Sequence, residues 1–138
     1  MSRGPSSMEI LLVEPSSMVG GIVISTARQL KLPRVRQVGT VRHAQTQLEA
    51  HEYDGLIVAL DDDGLAIEML RNLRMGSFHS DPALPVAVVA PQMDSALAAE
   101  LKTLHVRRIL LKPFKVRDLI TTIEALMVLA PAPSSATL

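Results

Sequence analysis

Residues 109–114 read Ile-Leu-Leu-Lys-Pro-Phe, and this stretch decides the fold. Three consecutive apolar residues are typical of a short strand that is buried on both faces, as in a parallel sheet. Pro113 cannot continue such a strand, because it has no backbone N–H and its ring restricts φ. Lys112 is therefore expected at the carboxyl end of a strand, where parallel α/β folds place their functional residues.

The rest of the chain repeats this pattern, in which a short apolar run is followed by apolar residues at helical spacing. The other predicted strands cover residues 8–13, 34–39, 55–60 and 84–90. Five strand–helix units predict a parallel sheet with helices on both faces, because crossovers between parallel strands are right-handed. The predicted fold class is α/β, a single doubly wound (βα)5 domain over residues 8–129, with flexible tails at 1–7 and 130–138.

The helical period also predicts which side chains face the core. In the first helix these are Val19, Ile22, Val23, Thr26 and Leu30, and in the last helix Val116, Leu119, Ile120, Ile123 and Leu126. The apolar end of the last helix, residues 126–129, is longer than one buried face requires.

Composition excludes several classes of function. The 14 basic and 14 acidic residues cancel, so no overall positive field would attract nucleic acid. The absence of cysteine excludes disulfides, thiolate catalysis and cysteine-ligated zinc. No uncharged stretch reaches the roughly 18 apolar residues of a membrane span, and the first residues do not resemble a signal peptide. We therefore expect a cytoplasmic protein that binds neither nucleic acid nor membrane.

Four segments together resemble a response-regulator receiver domain of bacterial two-component signalling, over roughly residues 8–127. Besides residues 109–114, they are 10–14 (Ile-Leu-Leu-Val-Glu), 52–54 (Glu-Tyr-Asp) and 84–90 (Leu-Pro-Val-Ala-Val-Val-Ala). They occur in the order and with the spacing of that family. The resemblance implies a flavodoxin-like receiver fold with sheet order 2-1-3-4-5, and a cis peptide before Pro113.

The same resemblance implies a phosphorylation site whose chemistry is missing here. In the family, an aspartate at the end of the third strand attacks a phosphoryl group with the help of Mg²⁺, and this position is matched by Ala59. The acidic pair after the first strand, the hydroxyl after the fourth strand and the switching aromatic residue are matched, in that order, by Glu14 with Pro15, by Ala90 and by Ile109. Only Lys112 remains, and we expect it to form an ion pair with Glu14.

These differences predict a degenerate pseudo-receiver, a stand-alone signalling adaptor that is not an enzyme and uses no cofactor. Without the hydroxyl and the aromatic residue, a single conformation should dominate. The expected partner is a signalling protein such as a histidine kinase or another regulator, or a second copy of the chain. In the family the contact surface comprises the fourth helix, fifth strand and fifth helix, and here it would include Ala96, Ala99, Arg107, Leu126 and Val128.

Two alternatives stay open. Asp61 shares side-chain parity with Ala59, so a slip of two residues would make it the phosphoacceptor, with Mg²⁺ held by Glu14, Asp61 and Asp62. Residues 61–63 equally suit a solvated turn in which Asp62 or Asp63 caps the following helix.

The second alternative is a domain that binds an anion, such as a nucleotide second messenger, through arginines. The basic clusters are Arg34, Arg36 and Arg42, and separately Arg107 with Arg108. No glycine-rich phosphate loop accompanies them, since Gly20 and Gly21 fall within the first predicted helix.

Overall fold

The computed structural model describes residues 8–61 and 64–127. Five parallel strands form one sheet, ordered β2-β1-β3-β4-β5. The strands are β1 (Glu9–Val13), β2 (Arg34–Val38), β3 (Gly55–Ala59), β4 (Val86–Ala90) and β5 (Arg108–Leu111). The helices are α1 (Ser17–Gln29), α2 (Val41–Ala50), α3 (Leu65–Arg74), α4 (Ser95–Thr103) and α5 (Val116–Met127). The predicted fold class and strand order are confirmed.

The sheet divides the core into two layers, because successive side chains of a strand point to opposite faces. Leu11 and Val13 pack with the buried residues of α2, α3 and α4, whereas Ile10 and Leu12 pack with those of α1 and α5. The central strands β3 and β4 are buried along their whole length, which explains their uninterrupted apolar sequences. Within the described residues, no helix is long and apolar enough to cross a membrane.

Side-chain caps set the start of three helices. The hydroxyl oxygens of Ser16 and Thr40 accept hydrogen bonds from the amides at the start of α1 and α2, at 3.2 and 3.1 Å, and the Asp94 carboxylate does the same for α4 at 2.8 Å. Helix α3 differs, because its N-cap position is Gly64, which has a left-handed φ of 75° and no side chain that could act as a cap. The expected cap by Asp62 or Asp63 stays a prediction, because both residues lie outside the described part of the chain.

Helix α1 is rotated about its axis relative to the predicted orientation. It buries Gly20, Val23 and Ala27 against the sheet, and leaves Ile22 46% exposed. Val116 at the start of α5 is likewise 50% exposed. Both side chains were predicted to face the core, and their exposure follows from a surplus of apolar residues around each helix.

The rotation of α1 is explained by a close contact between Gly20 and Gln37. The Gln37 side-chain amide passes over Gly20 and donates hydrogen bonds to the backbone oxygens of Glu14 and Ser16, at 2.8 and 3.1 Å. A methyl group on Gly20 would overlap this amide. Gln37 thus fastens the loop between β1 and α1 to β2, and α1 approaches the sheet through a residue without a side chain.

We predict that Gly20→Ala leaves the protein about 1.5–3 kcal/mol less stable than the matched variant Gly21→Ala. Both substitutions gain helix propensity of about 1 kcal/mol. Only the first displaces Gln37, because a methyl group on Gly21 would meet no atom within 4 Å. The displacement removes the Gln37 donor from the backbone oxygens of Glu14 and Ser16, of which Ser16 keeps the hydrogen bond from the Gly20 amide. Urea unfolding of both variants measures the difference, and equal stabilities would contradict the role given to Gln37.

Candidate functional site

The carboxyl ends of β1, β3, β4 and β5 meet at one edge of the sheet, where the sequence places the family's phosphorylation site. The strand register aligns them, since Val13 lies beside Val58, Ala59 beside Val89, and Ala90 beside Leu111. Backbone hydrogen bonds extend this order by one residue beyond the strands. The Glu14 amide donates to the Val38 oxygen at 3.0 Å and the Lys112 amide to the Ala90 oxygen at 2.9 Å. The peptide between Lys112 and Pro113 is cis, as the resemblance implied.

Glu14 and Lys112 form an ion pair at this edge. Lys112 Nζ lies 3.1 Å from Glu14 Oε1, and the Ser16 amide donates to Oε2 at 3.0 Å. The Glu14 side chain is only 2% exposed, whereas that of Lys112 is 36% exposed. A buried carboxylate without partners would be costly, so Glu14 depends on these two donors. The structure contains the expected pair.

The position that the resemblance assigns to the phosphoacceptor holds a methyl group. Ala59 is the last residue of β3 and lines a cleft of about 340 Å³ together with Pro15, Arg42 and Lys112. Ala90, the last residue of β4, is buried, and Ile109 in β5 is 40% exposed. None of these residues has a group that could bind or attack phosphorus. The charged side chains that line the cleft are the cations Arg42 and Lys112 and the carboxylate Asp61.

Asp61 lies two residues beyond β3, on the rim of the same cleft. The strand pairs in register up to Ala59, so β3 shows no two-residue slip. Asp61 also lines a second cleft of about 150 Å³ beside Ala90 and Pro91. Asp62 lies outside the described residues.

The described residues do not fit the Mg²⁺ ion that the fold family implies. Within residues 8–61 and 64–127, no group of three histidines or acids could hold a metal ion. Of the acidic pair, Pro15 offers no carboxylate, and both carboxylate oxygens of Glu14 already accept from other groups. Hard divalent cations need several oxygen ligands, which the described residues at this edge of the sheet do not supply.

Some residues of the predicted contact surface are exposed, and the contact itself stays a prediction. Ala96 and Ala99 of α4 are exposed, and on the neighbouring β5 Ile109 and Leu111 are 40% and 49% exposed. The prediction that Leu126 belongs to the contact surface is wrong. Leu126 is 2% exposed and packs in the core layer of α5, one turn from Ile123.

Two other residues of the predicted surface need comment. Arg107 is half-buried, and its guanidinium donates to the backbone oxygens of Ala125 and Leu126, at 2.9 and 3.4 Å. Its charge therefore lies at the carboxyl end of α5, where cations are favourable. Val128 lies outside the described residues.

An apolar groove that the sequence did not predict lies beside Lys112. It runs between α1 and the loop after β5, has a volume of about 450 Å³, and is lined mainly by Val19, Ile22, Pro113, Phe114 and Val116. Met18, next to it in the sequence, is 75% exposed. The signal in the sequence was the surplus of apolar residues around α1, which exceeds what one buried face uses.

Comparison with solved structures identifies the fold. The non-phosphorylated receiver domain of HemR from Leptospira biflexa matches with a TM-score of 0.79 and 20% identity, over 91% of this chain and 98% of that one. An orphan response regulator of H. pylori matches with a TM-score of 0.77 and 17% identity, over 91% and 100%. The receiver domain of a sensor histidine kinase from Pseudomonas aeruginosa, with magnesium in its active-site cleft, matches with a TM-score of 0.70 and 20% identity, over 88% and 98%.

The chain therefore has the fold of response-regulator receiver domains, as the resemblance implied. No protein-family model and no curated protein matches the sequence. The likeness is one of backbone architecture, and the positions matched to the family's phosphoacceptor and hydroxyl hold Ala59 and Ala90 in this chain.

We predict that Lys112→Met destabilises the protein by about 1–3 kcal/mol. Breaking a buried ion pair typically costs about 3–5 kcal/mol, and the partial exposure of Lys112 lowers this figure because water can replace some of its contact. The neighbouring exposed residue supplies the control, since Lys115→Met should change the free energy of unfolding by less than about 0.5 kcal/mol.

The variant that combines Glu14→Gln with Lys112→Met should be more stable than Lys112→Met alone, because no uncompensated charge remains buried. Chemical denaturation of the four proteins of this double-mutant cycle measures the coupling. A coupling free energy near zero would show that the ion pair does not stabilise Glu14.

Proposed function

We propose that this chain is a pseudo-receiver that acts in two-component signalling as an adaptor, without accepting a phosphoryl group and without catalysing a reaction. The receiver-domain fold supports a signalling role. The observation that carries the proposal is the substitution at the acceptor position, where Ala59 faces a lysine that is already paired with Glu14.

In this proposal Lys112 has a fixed partner where a phosphorylated receiver would offer it a phosphoryl oxygen. Its pairing with Glu14 connects the ends of β5 and β1, and this contact favours a single arrangement of the lysine. Ala90 has no hydroxyl that could form a hydrogen bond with a phosphoryl group. Ile109 is partly exposed on β5 and has no polar group in its side chain. A domain without two competing arrangements should signal by being present and binding, because a switch requires two states of similar free energy.

The contact surface of the adaptor would be the exposed apolar strip on α4 and β5. Ala96 and Ala99 allow close approach of a partner, and Ile109 and Leu111 supply apolar area that would be removed from water. A histidine kinase, another regulator or a second copy of the chain could bind there. Whether the domain accepts a phosphoryl group can be measured without knowing which of these binds.

We predict that neither Mg²⁺ nor beryllofluoride, a mimic of the acyl phosphate, shifts the backbone amide resonances of Leu60, Asp61 and Lys112. The physical reason is that Ala59 has no carboxylate to which beryllofluoride could bind. Both carboxylate oxygens of Glu14 are already engaged, by Lys112 and by the Ser16 amide, and are therefore poor ligands for the metal. An NMR titration with Mg²⁺ alone and then with beryllofluoride measures this. Saturable shifts that disappear in Asp61→Ala would overturn the proposal and make Asp61 the phosphoacceptor.

The matched positive control restores the family's carboxylates in the same chain. The double variant Pro15→Asp with Ala59→Asp places two acids beside Glu14 at the ends of β1 and β3. It should show Mg²⁺-dependent shifts that the parent protein lacks, because three carboxylates can then share the ion. This control establishes that the titration detects a working site in this fold.

A further inference from the structure

A further cleft lies at the opposite edge of the sheet, between the carboxyl end of α1 and the beginning of β2. Its volume is about 730 Å³, within the range of ligand sites in proteins. The apolar residues that line it are Ile24, Ala27, Leu32, Pro33 and Val35, and the basic ones are Arg28, Lys31 and Arg34. The cleft thus combines an apolar floor with positive charge.

The positive charge at this cleft is not balanced by the residues that the structure describes. Among residues 8–61 and 64–127, no acidic one lines the cleft, and none forms an ion pair with its three basic residues. The nearest contrast is Arg36 on the same strand, whose guanidinium lies 3.6 Å from the Glu9 carboxylate. The chain as a whole has no net charge, so the excess of positive charge at the cleft does not simply reflect the overall composition.

Lys31 occupies a backbone position that normally favours glycine. Helix α1 ends in a turn in which the Leu32 amide donates to the Ala27 oxygen at 2.9 Å, and Lys31 has a left-handed φ of 55°. Helix α3 ends in the same way with Gly76, at φ 83°. A lysine at this position makes the folded protein less stable than a glycine would, because its side chain disfavours a left-handed φ. The lysine nevertheless places a cation on the cleft.

We propose that this cleft binds an acidic segment of a partner protein, with leucine-like side chains on the apolar floor and carboxylates against Arg28, Lys31 and Arg34. A nucleotide fits less well, because no aromatic side chain among the described residues lines the cleft for a base to stack on. A membrane surface fits less well, because the cations surround a concavity. The site lies at the other end of the strands from Ala59, so it is independent of the proposed loss of phosphoryl chemistry.

The probe is a fluorescein-labelled hexapeptide of two central leucines flanked by glutamates, titrated by fluorescence anisotropy and mapped by NMR. We expect saturable binding, with amide shifts centred on Ile24, Leu32 and Val35. The variant Arg28→Gln with Lys31→Gly should bind roughly tenfold more weakly, because two cations are lost. It should melt no lower than the parent, since glycine relieves the left-handed position.

Helix α4 supplies the matched control, because it ends in the same kind of turn with Lys102 in its last turn and His105 at φ 57°. The variant Lys102→Gln with His105→Gly should bind the peptide like the parent protein. Salt should weaken binding to the parent protein, because the contacting charges are exposed and screened.

Several results would overturn the proposal. They are the absence of saturable binding at millimolar peptide, an equal loss of affinity in the α4 control, and shifts centred away from the cleft. Equal affinity for a peptide in which serines replace the leucines would show that the floor is not used. Tighter binding of ATP, or of vesicles that contain phosphatidylserine, would assign the cations to a different ligand.

Discussion

The rest of the structure around the carboxyl edge depends on the burial of one negative charge. The Glu14 side chain is 2% exposed, and an ionised carboxylate removed from water costs several kcal/mol unless it is paired and hydrogen-bonded. Lys112 supplies the counter-charge from the end of β5, although β3 and β4 lie between that strand and β1. The pair therefore ties together the ends of two strands that do not touch through their backbones.

The fold could be read from the sequence because its strands carry their own signal. β3 and β4 are buried on both faces, and this burial requires a nearly continuous apolar run. Three helices begin directly after Ser16, Thr40 and Asp94, because these side chains cap them. The orientation of α1 could not be read in the same way. It is set by the contact between Gly20 and Gln37, and the chain folds through a whole crossover before these residues meet.

The identities of the residues at the carboxyl edge could be predicted, whereas their detailed bonding could not. Matching Ala59 and Lys112 to positions of the family needed only the order of the strands. The pairing of Lys112 with Glu14 followed because a partly buried cation requires an anion. The hydrogen bonds from Ser16 and Gln37 depend on the path of the loop after β1, which no local sequence pattern specifies. Leu126 was assigned to two roles, and its place in the helical stripe decided for the core.

The two ends of the sheet differ in how their charges are balanced. The charges of Glu14 and Lys112 at the carboxyl edge are paired with each other, whereas those at the amino edge are available to a ligand. At the carboxyl edge Glu14 is buried and fully engaged, so a ligand that used it would first have to break its contacts with Lys112 and Ser16. At the amino edge the cations around the α1–β2 cleft are exposed and have no partner among the described residues, so an anion arriving there breaks nothing. Binding is favoured where the free protein loses the fewest existing interactions. The free energy needed to break such interactions is subtracted from the free energy of the new contacts, and only the difference appears as affinity. Under the proposed function, the carboxyl edge would contribute rigidity, and the other surfaces of the receiver fold would be available to partners.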